Sequence, residues 1–140
     1  MNRRRFLTAV AGVGTTIGLA GCGGGSADAA EFDISMSASR FRPEQFEVEV
    51  GTTVVWRNTS KQGHTVTAYE GGIPDEADYF ASGGFESEAD ARQRYTNSSA
   101  GVLGAGEVYE HEFTVPGTYN YFCIPHERVQ MIGSIDVVEG

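Results

Sequence analysis

The sequence predicts an all-β domain, and three observations carry that expectation. From Glu31 onward apolar residues recur at every second position, the period of a strand with one buried face. Turn residues separate these runs, and the 140 residues include 19 glycines. Eight Phe, six Tyr and one Trp supply enough bulk for one core, and the chain has the length of one ordinary domain.

The elements follow in order. Phe32, Ile34 and Met36 alternate with polar residues, and Phe46, Val48 and Val50 alternate with Glu47 and Glu49. Gly51-Thr52 supplies a turn before Val54-Val55-Trp56, and Val66 lies in an extended piece after His64. The rhythm then breaks. Pro74 stands before Asp75, Glu76 and Asp78, with Gly83-Gly84 behind them. Proline in a first turn, acids at the positive end of the helix dipole and a glycine stop predict a short helix there. Ser87-Glu88-Ala89-Asp90 is a capping-box variant, and Arg92 and Arg94 suit a helix C-terminus, which predicts a second helix ending near Tyr95. Together they make a helical insertion around residues 74–95. The acids lack the alternating ligand spacing of a calcium loop, so the cap reading is preferred to a cation site. Period two returns at Tyr109, His111, Phe113 and Val115, up to a turn at Pro116-Gly117. His111, mid-strand, is assigned a packing role. Tyr119, Tyr121 and Cys123 share a face, and Ile135 with Val137 forms the last strand. There is no internal repeat, P-loop, GxGxxG helix opening or GxSxG elbow.

The N-terminus reads as an address. Arg3-Arg4-Arg5-Phe6-Leu7 precedes a Gly-rich apolar stretch too short to span a membrane well, and its order is similar to a twin-arginine export signal. Leu19-Ala20-Gly21-Cys22 resembles a lipobox, so residues 1–21 are expected to be a cleaved signal. Residues 22–30 are then a lipidated Cys22 and a flexible Gly/Ser/Ala tether, leaving residues 31–140 as the domain. The expected location is the outer face of the cytoplasmic membrane. The alternatives for Cys22 are an ordinary thiol or, after export, a disulfide with Cys123. Asn58-Thr59-Ser60 and Asn97-Ser98-Ser99 match the N-glycosylation acceptor pattern.

The formal charge of −9 repels phosphate backbones and argues against nucleic-acid binding. Signal removal deletes three of the 10 basic residues and none of the 19 acids, so 7 remain against 19, a net −12. Such a surface suits concentrated salt, where screening shortens to about 3 Å at 1 M.

One cluster carries chemistry. Cys123-Ile124-Pro125-His126, followed by Met131, delivers a thiolate, an imidazole and a thioether, and His64 adds a second imidazole from upstream. This is the ligand set of a blue-copper centre. Soft sulfur suits Cu(I) and imidazole suits Cu(II), so a site with both in one compromise geometry rearranges little when an electron arrives. A buried structural thiol, a loop histidine and a core methionine are the bland alternatives for these residues.

Tyr119-Asn120-Tyr121-Phe122-Cys123-Ile124-Pro125-His126, with Met131-Ile132-Gly133 after it and Gly63-His64-Thr65-Val66 before it, resembles the cupredoxins of the plastocyanin type, most closely the lipid-anchored halocyanins of haloarchaea. The resemblance covers about residues 31–140 and implies a Greek-key β-sandwich with one copper ion at one end, cycling between Cu(I) and Cu(II). It implies His64, Cys123 and His126 as equatorial ligands and Met131 as the axial one. Thr65 stands where related proteins often have Asn, and Glu127-Arg128-Val129-Gln130 replaces small residues common before the methionine. The function implied is that of a monomeric, membrane-anchored type 1 copper protein carrying single electrons between membrane redox proteins. It is not an enzyme: a copper oxidase or nitrite reductase needs histidines for a second copper, and only His111 remains. The alternative is an extracytoplasmic copper-binding or copper-delivery protein.

Overall fold

The computed structural model describes residues 31–140. Among the described residues eight strands form: β1 (Ile34–Met36), β2 (Phe41–Arg42), β3 (Gln45–Glu49), β4 (Thr52–Asn58), β5 (Thr67–Ala68), β6 (Val108–Phe113), β7 (Gly117–Phe122) and β8 (Ile132–Val138). They make two four-stranded sheets, ordered β2-β1-β4-β6 and β3-β8-β7-β5. The chain crosses between sheets at every connection except β1–β2 and β7–β8, giving the Greek-key sandwich. Two pairings are parallel, β1 with β4 and β3 with β8, and the rest are antiparallel.

The alternation of the sequence becomes the inner face of each sheet. Ile34, Met36, Val54, Trp56 and Phe113 meet Val48, Tyr119, Tyr121, Ile135 and Val137 in one core. Trp56 is fully buried at its centre, with Tyr121 edge-on at 5.4 Å and Tyr109 at 5.6 Å. Truncating such a ring to alanine costs about 3–5 kcal/mol. β2 escapes the alternating pattern because it is only two residues long, yet Phe41 is fully buried against Tyr121.

The insertion differs in detail from expectation. After Pro74 there is one turn, closed by Ala77 N–H donating to the Pro74 carbonyl at 3.0 Å, and no helix follows. The backbone of 80–82 instead pairs with 66–68: Ala68 N–H donates to Phe80, and Ser82 N–H to Val66. That extended course buries Phe80 against Trp56 and Phe113, which a helix from Pro74 would forgo. The second helix forms as α1 (Glu88–Ser98), with Ser87 Oγ accepting the Asp90 amide at 3.0 Å. It runs one turn beyond Tyr95 and stops at Ser99, whose φ is 57°. Arg92 and Arg94 do not sit in its last turn; they reach back to Glu88 and Asp90.

Among the described residues no helix is long and apolar enough to cross a membrane. Cys22, with its lipidation and disulfide alternatives, lies outside the described residues, as do the signal and the tether.

Candidate metal centre

Two loops at one end of the sandwich carry the site. His64 lies between β4 and β5, where its N–H donates to the Leu103 carbonyl at 3.2 Å and its carbonyl accepts from Leu103 N–H at 2.7 Å. A Cβ on the preceding Gly63 would lie 2.8 Å from Val102 Cγ1, so a side chain there would push the His64 loop off the segment around Leu103.

The second loop begins where β7 ends. Cys123 N–H donates to the Met131 carbonyl at 3.0 Å, and Met131 N–H returns a bond to the His126 carbonyl at 3.2 Å. Between them Ile124–Val129 forms two 3₁₀ turns separated by a kink at His126 (φ −122°, ψ 16°). Gln130, at φ 70°, turns the chain back, so Met131 enters the core beside Cys123.

The donors converge. Cys123 Sγ lies 3.5 Å from His64 Nδ1 and 3.4 Å from His126 Nδ1. These three residues offer donor atoms that all fall within 4.8 Å of one another. A first-row ion bonding nitrogen and sulfur at about 2.0–2.3 Å fits the two sulfur–nitrogen separations, and the soft-and-borderline set suits copper. His64, Cys123 and Met131 are fully buried and His126 is half-buried. Burial pushes the Cys123 thiol up to about 11, against hydrogen bonding from Thr65 and His126. Burial, and then the neighbouring His126, hold His64 below the usual imidazole range, opposed by a hydrogen bond to the Ser37 backbone. The pocket therefore presents a neutral imidazole and a thiol whose proton a bound cation would displace.

A family model for copper binding proteins of the plastocyanin/azurin family matches residues 29–138. This chain belongs to the plastocyanin/azurin family. The chloroplastic plastocyanin minor isoform of Arabidopsis thaliana is 33% identical over 97 residues, covering 69% of this chain and 50% of that protein. The plastocyanin of Scenedesmus fuscus is 32% identical over 97 residues, covering 69% of this chain and 85% of that protein. The chain thus spans about half the length of the Arabidopsis relative. Among solved structures, a purple cupredoxin from Nitrosopumilus maritimus superposes with a TM-score of 0.52 at 22% identity, covering 76% of this chain and 99% of that one. An oxidized amicyanin mutant gives 0.54 at 24%, covering 78% and 88%. These likenesses concern the fold. Plastocyanin/azurin-family proteins bind one copper, and His64, Cys123 and His126 form the candidate ligand group here.

Around this plastocyanin-type centre lie residues that the motif did not reveal. Thr65, which stands where family members often have Asn, still ties the two loops: its N–H donates to Cys123 Sγ at 3.4 Å and its hydroxyl accepts from Ile124 N–H at 2.9 Å. Arg92 of α1 grips Glu127, next to His126, through two hydrogen bonds of 2.9 and 3.2 Å, and its guanidinium lies 4.4 Å over the Phe122 ring. Tyr69 stacks on Phe122 and donates to the same Glu127 carboxylate at 2.8 Å. Arg92 holds that carboxyl below the usual range. Long-range pairs such as Arg92–Glu127 leave no mark in local spacing. His111 has the packing role assigned to it, stacked 4.6 Å from Phe80 and edge-on to Phe113. Asn58 corrects a motif: it is fully buried, and its amide donates to the Gln62 and Leu103 carbonyls, so the folded chain offers no glycosylation acceptor there. Asn97 is exposed on the last turn of α1.

Proposed function

We propose that this protein is a type 1 copper electron carrier, held at the outer face of the cytoplasmic membrane by a lipid on Cys22, with His64, Cys123, His126 and Met131 holding its one copper. The observation that carries this reading is the convergence of two imidazole nitrogens on one buried cysteine sulfur, at 3.4 and 3.5 Å. Bound copper supplies reversible one-electron chemistry between Cu(I) and Cu(II). The chain's own residues supply rigidity. Hydrogen bonds from the Cys123, His126 and Met131 amides close one loop on itself and the Thr65 amide ties the other loop to it, so the donors keep their places when the charge changes.

The half-buried His126 lies on a loop whose Pro125 and Val129 are exposed, Val129 to 56%. That apolar edge is where membrane redox proteins would dock to give and take electrons. A monomer suffices, and no catalytic group is needed. The acid excess and the Leu19-Ala20-Gly21-Cys22 pattern support a halocyanin-like protein of a saline exterior.

The test is reduction of the copper-loaded full chain by isolated membranes. One electron taken up per copper, reversibly and with the metal retained, is expected. Copper passing to the membranes on reduction would make the protein a copper-delivery factor instead. Cys22→Ala should leave the membrane fraction with its copper site intact, since stable attachment needs the acyl chains on the processed cysteine.

A further inference from the structure

Asn58 and Ser60 form a network whose proton directions are forced. Asn58 Nδ2 is bonded to the carbonyls of Gln62 at 2.6 Å and Leu103 at 2.9 Å. Carbonyls only accept, so that atom is the amide nitrogen and both its protons are used. Asn58 Oδ1 in turn faces Ser60 N–H and Ser60 Oγ, each at 2.8 Å. The amide oxygen can only accept, so an oxygen–oxygen contact of 2.8 Å places the single Ser60 hydroxyl proton between the two; the Gln62 carbonyl at 3.3 Å and His64 Nε2 at 3.0 Å are the longer alternatives. With its proton on Asn58 the hydroxyl has none for anything else. It accepts from Gln62 N–H at 3.2 Å, and its remaining neighbour is His64 Nε2 at 3.0 Å.

From this we infer that Ser60 is a positioning residue for the metal centre: by accepting from His64 Nε2–H it fixes the tautomer in which His64 Nδ1 turns a free lone pair toward Cys123. The inference rests on the copper reading of the site. A hydroxyl free to rotate could serve either tautomer, whereas a hydroxyl whose proton is committed to buried Asn58 serves one. The partner of a metal-bound imidazole's second nitrogen orients the ring and sets its basicity. Asn58 is fully buried and its side-chain hydrogen-bonding capacity is filled, so the relay has a rigid base. The Ser37 backbone also hydrogen-bonds the His64 ring and is the alternative anchor that the experiment must separate.

The experiment compares Ser60→Ala and Ser60→Thr with the unaltered full chain, each loaded with Cu(I), which is diamagnetic. Imidazole proton–nitrogen NMR follows the His64 Nε2 proton, and competition with a Cu(I) chelator measures retention. Ser60→Ala should exchange that proton with water several-fold faster and hold copper about tenfold less tightly. Ser60→Thr, which keeps the hydroxyl, should restore both. Exchange and affinity unchanged in Ser60→Ala would hand the role to the Ser37 backbone and overturn the inference. Equal losses in both variants would also overturn it, because they would reflect the loop's fold and not the hydroxyl. Failure of the unaltered chain to bind copper would refute the copper reading itself, a separate outcome.

Discussion

The Thr65 hydroxyl accepts the Ile124 amide at 2.9 Å, so the residue after the candidate ligand His64 is bonded to the residue after the candidate ligand Cys123. The same hydroxyl pairs with Thr67 Oγ1 at 2.9 Å. Thr65→Val keeps the shape and strands the Ile124 amide, a loss of about 1–3 kcal/mol. Thermal unfolding of the copper-loaded variant should fall by several degrees. Thr65→Ser should recover most of it. Equal melting temperatures for Val and Thr would show that the bond does not hold the loops.

Met131 tests the axial assignment. It is fully buried and bonded through its backbone to Cys123 and His126. A weak axial thioether tunes the balance of oxidation states more than it retains the metal. Met131→Leu should keep the copper and raise the reduction potential, and Met131→Gln should lower it. Protein-film voltammetry of the three proteins decides; identical potentials would remove Met131 from the site.

The Arg92–Glu127 pair links α1 to the loop bearing His126. Its partners are 38% and 31% exposed, so the coupling should be small, at most ~1 kcal/mol. A double-mutant cycle with Arg92→Ala and Glu127→Gln, read by denaturant unfolding, should return that coupling at low salt and lose most of it at about 1 M. A coupling that persists undiminished would show that the pair is not a screened charge attraction.

The longer strands were legible in the sequence because one face is buried, which imposes period two on Ile34–Met36 and Phe46–Val48, whereas the two-residue β2 and β5 are too short to show a period. The loop carrying the candidate ligands Cys123 and His126 was legible because they and Met131 lie within one short segment. His64 depended on resemblance, since nothing local marks a histidine as a ligand. The helix expected after Pro74 was wrong because the first-turn signals there are local, whereas pairing of 80–82 with 66–68 and burial of Phe80 are not. Asn58-Thr59-Ser60 reads as a modification signal in sequence, whereas in the fold the Asn58 side chain is buried and hydrogen-bonded.

His111 provides a pH test away from the candidate metal centre. Burial holds its imidazole below the usual 6.5, against the opposing pull of Asp78 and Glu112. A depressed folded value means that unfolding takes up a proton below pH 6.5. The stabilisation is therefore complete above that pH and is lost as the pH falls toward the folded value. His111→Phe should flatten this decline, so the variant gains on the unaltered protein between about pH 7.5 and 5 in denaturant unfolding. Parallel stability curves would show that His111 does not titrate differently on unfolding.

In the copper reading the Cys123 thiolate binds one copper together with two imidazoles. The most direct measurement is the visible and paramagnetic resonance spectrum of the oxidised, copper-loaded protein beside that of Cys123→Ser. One copper per chain, with an intense thiolate charge-transfer band that disappears in Cys123→Ser, is the expected result. An undiminished band in Cys123→Ser, or copper bound by the unaltered chain without such a band, would contradict it.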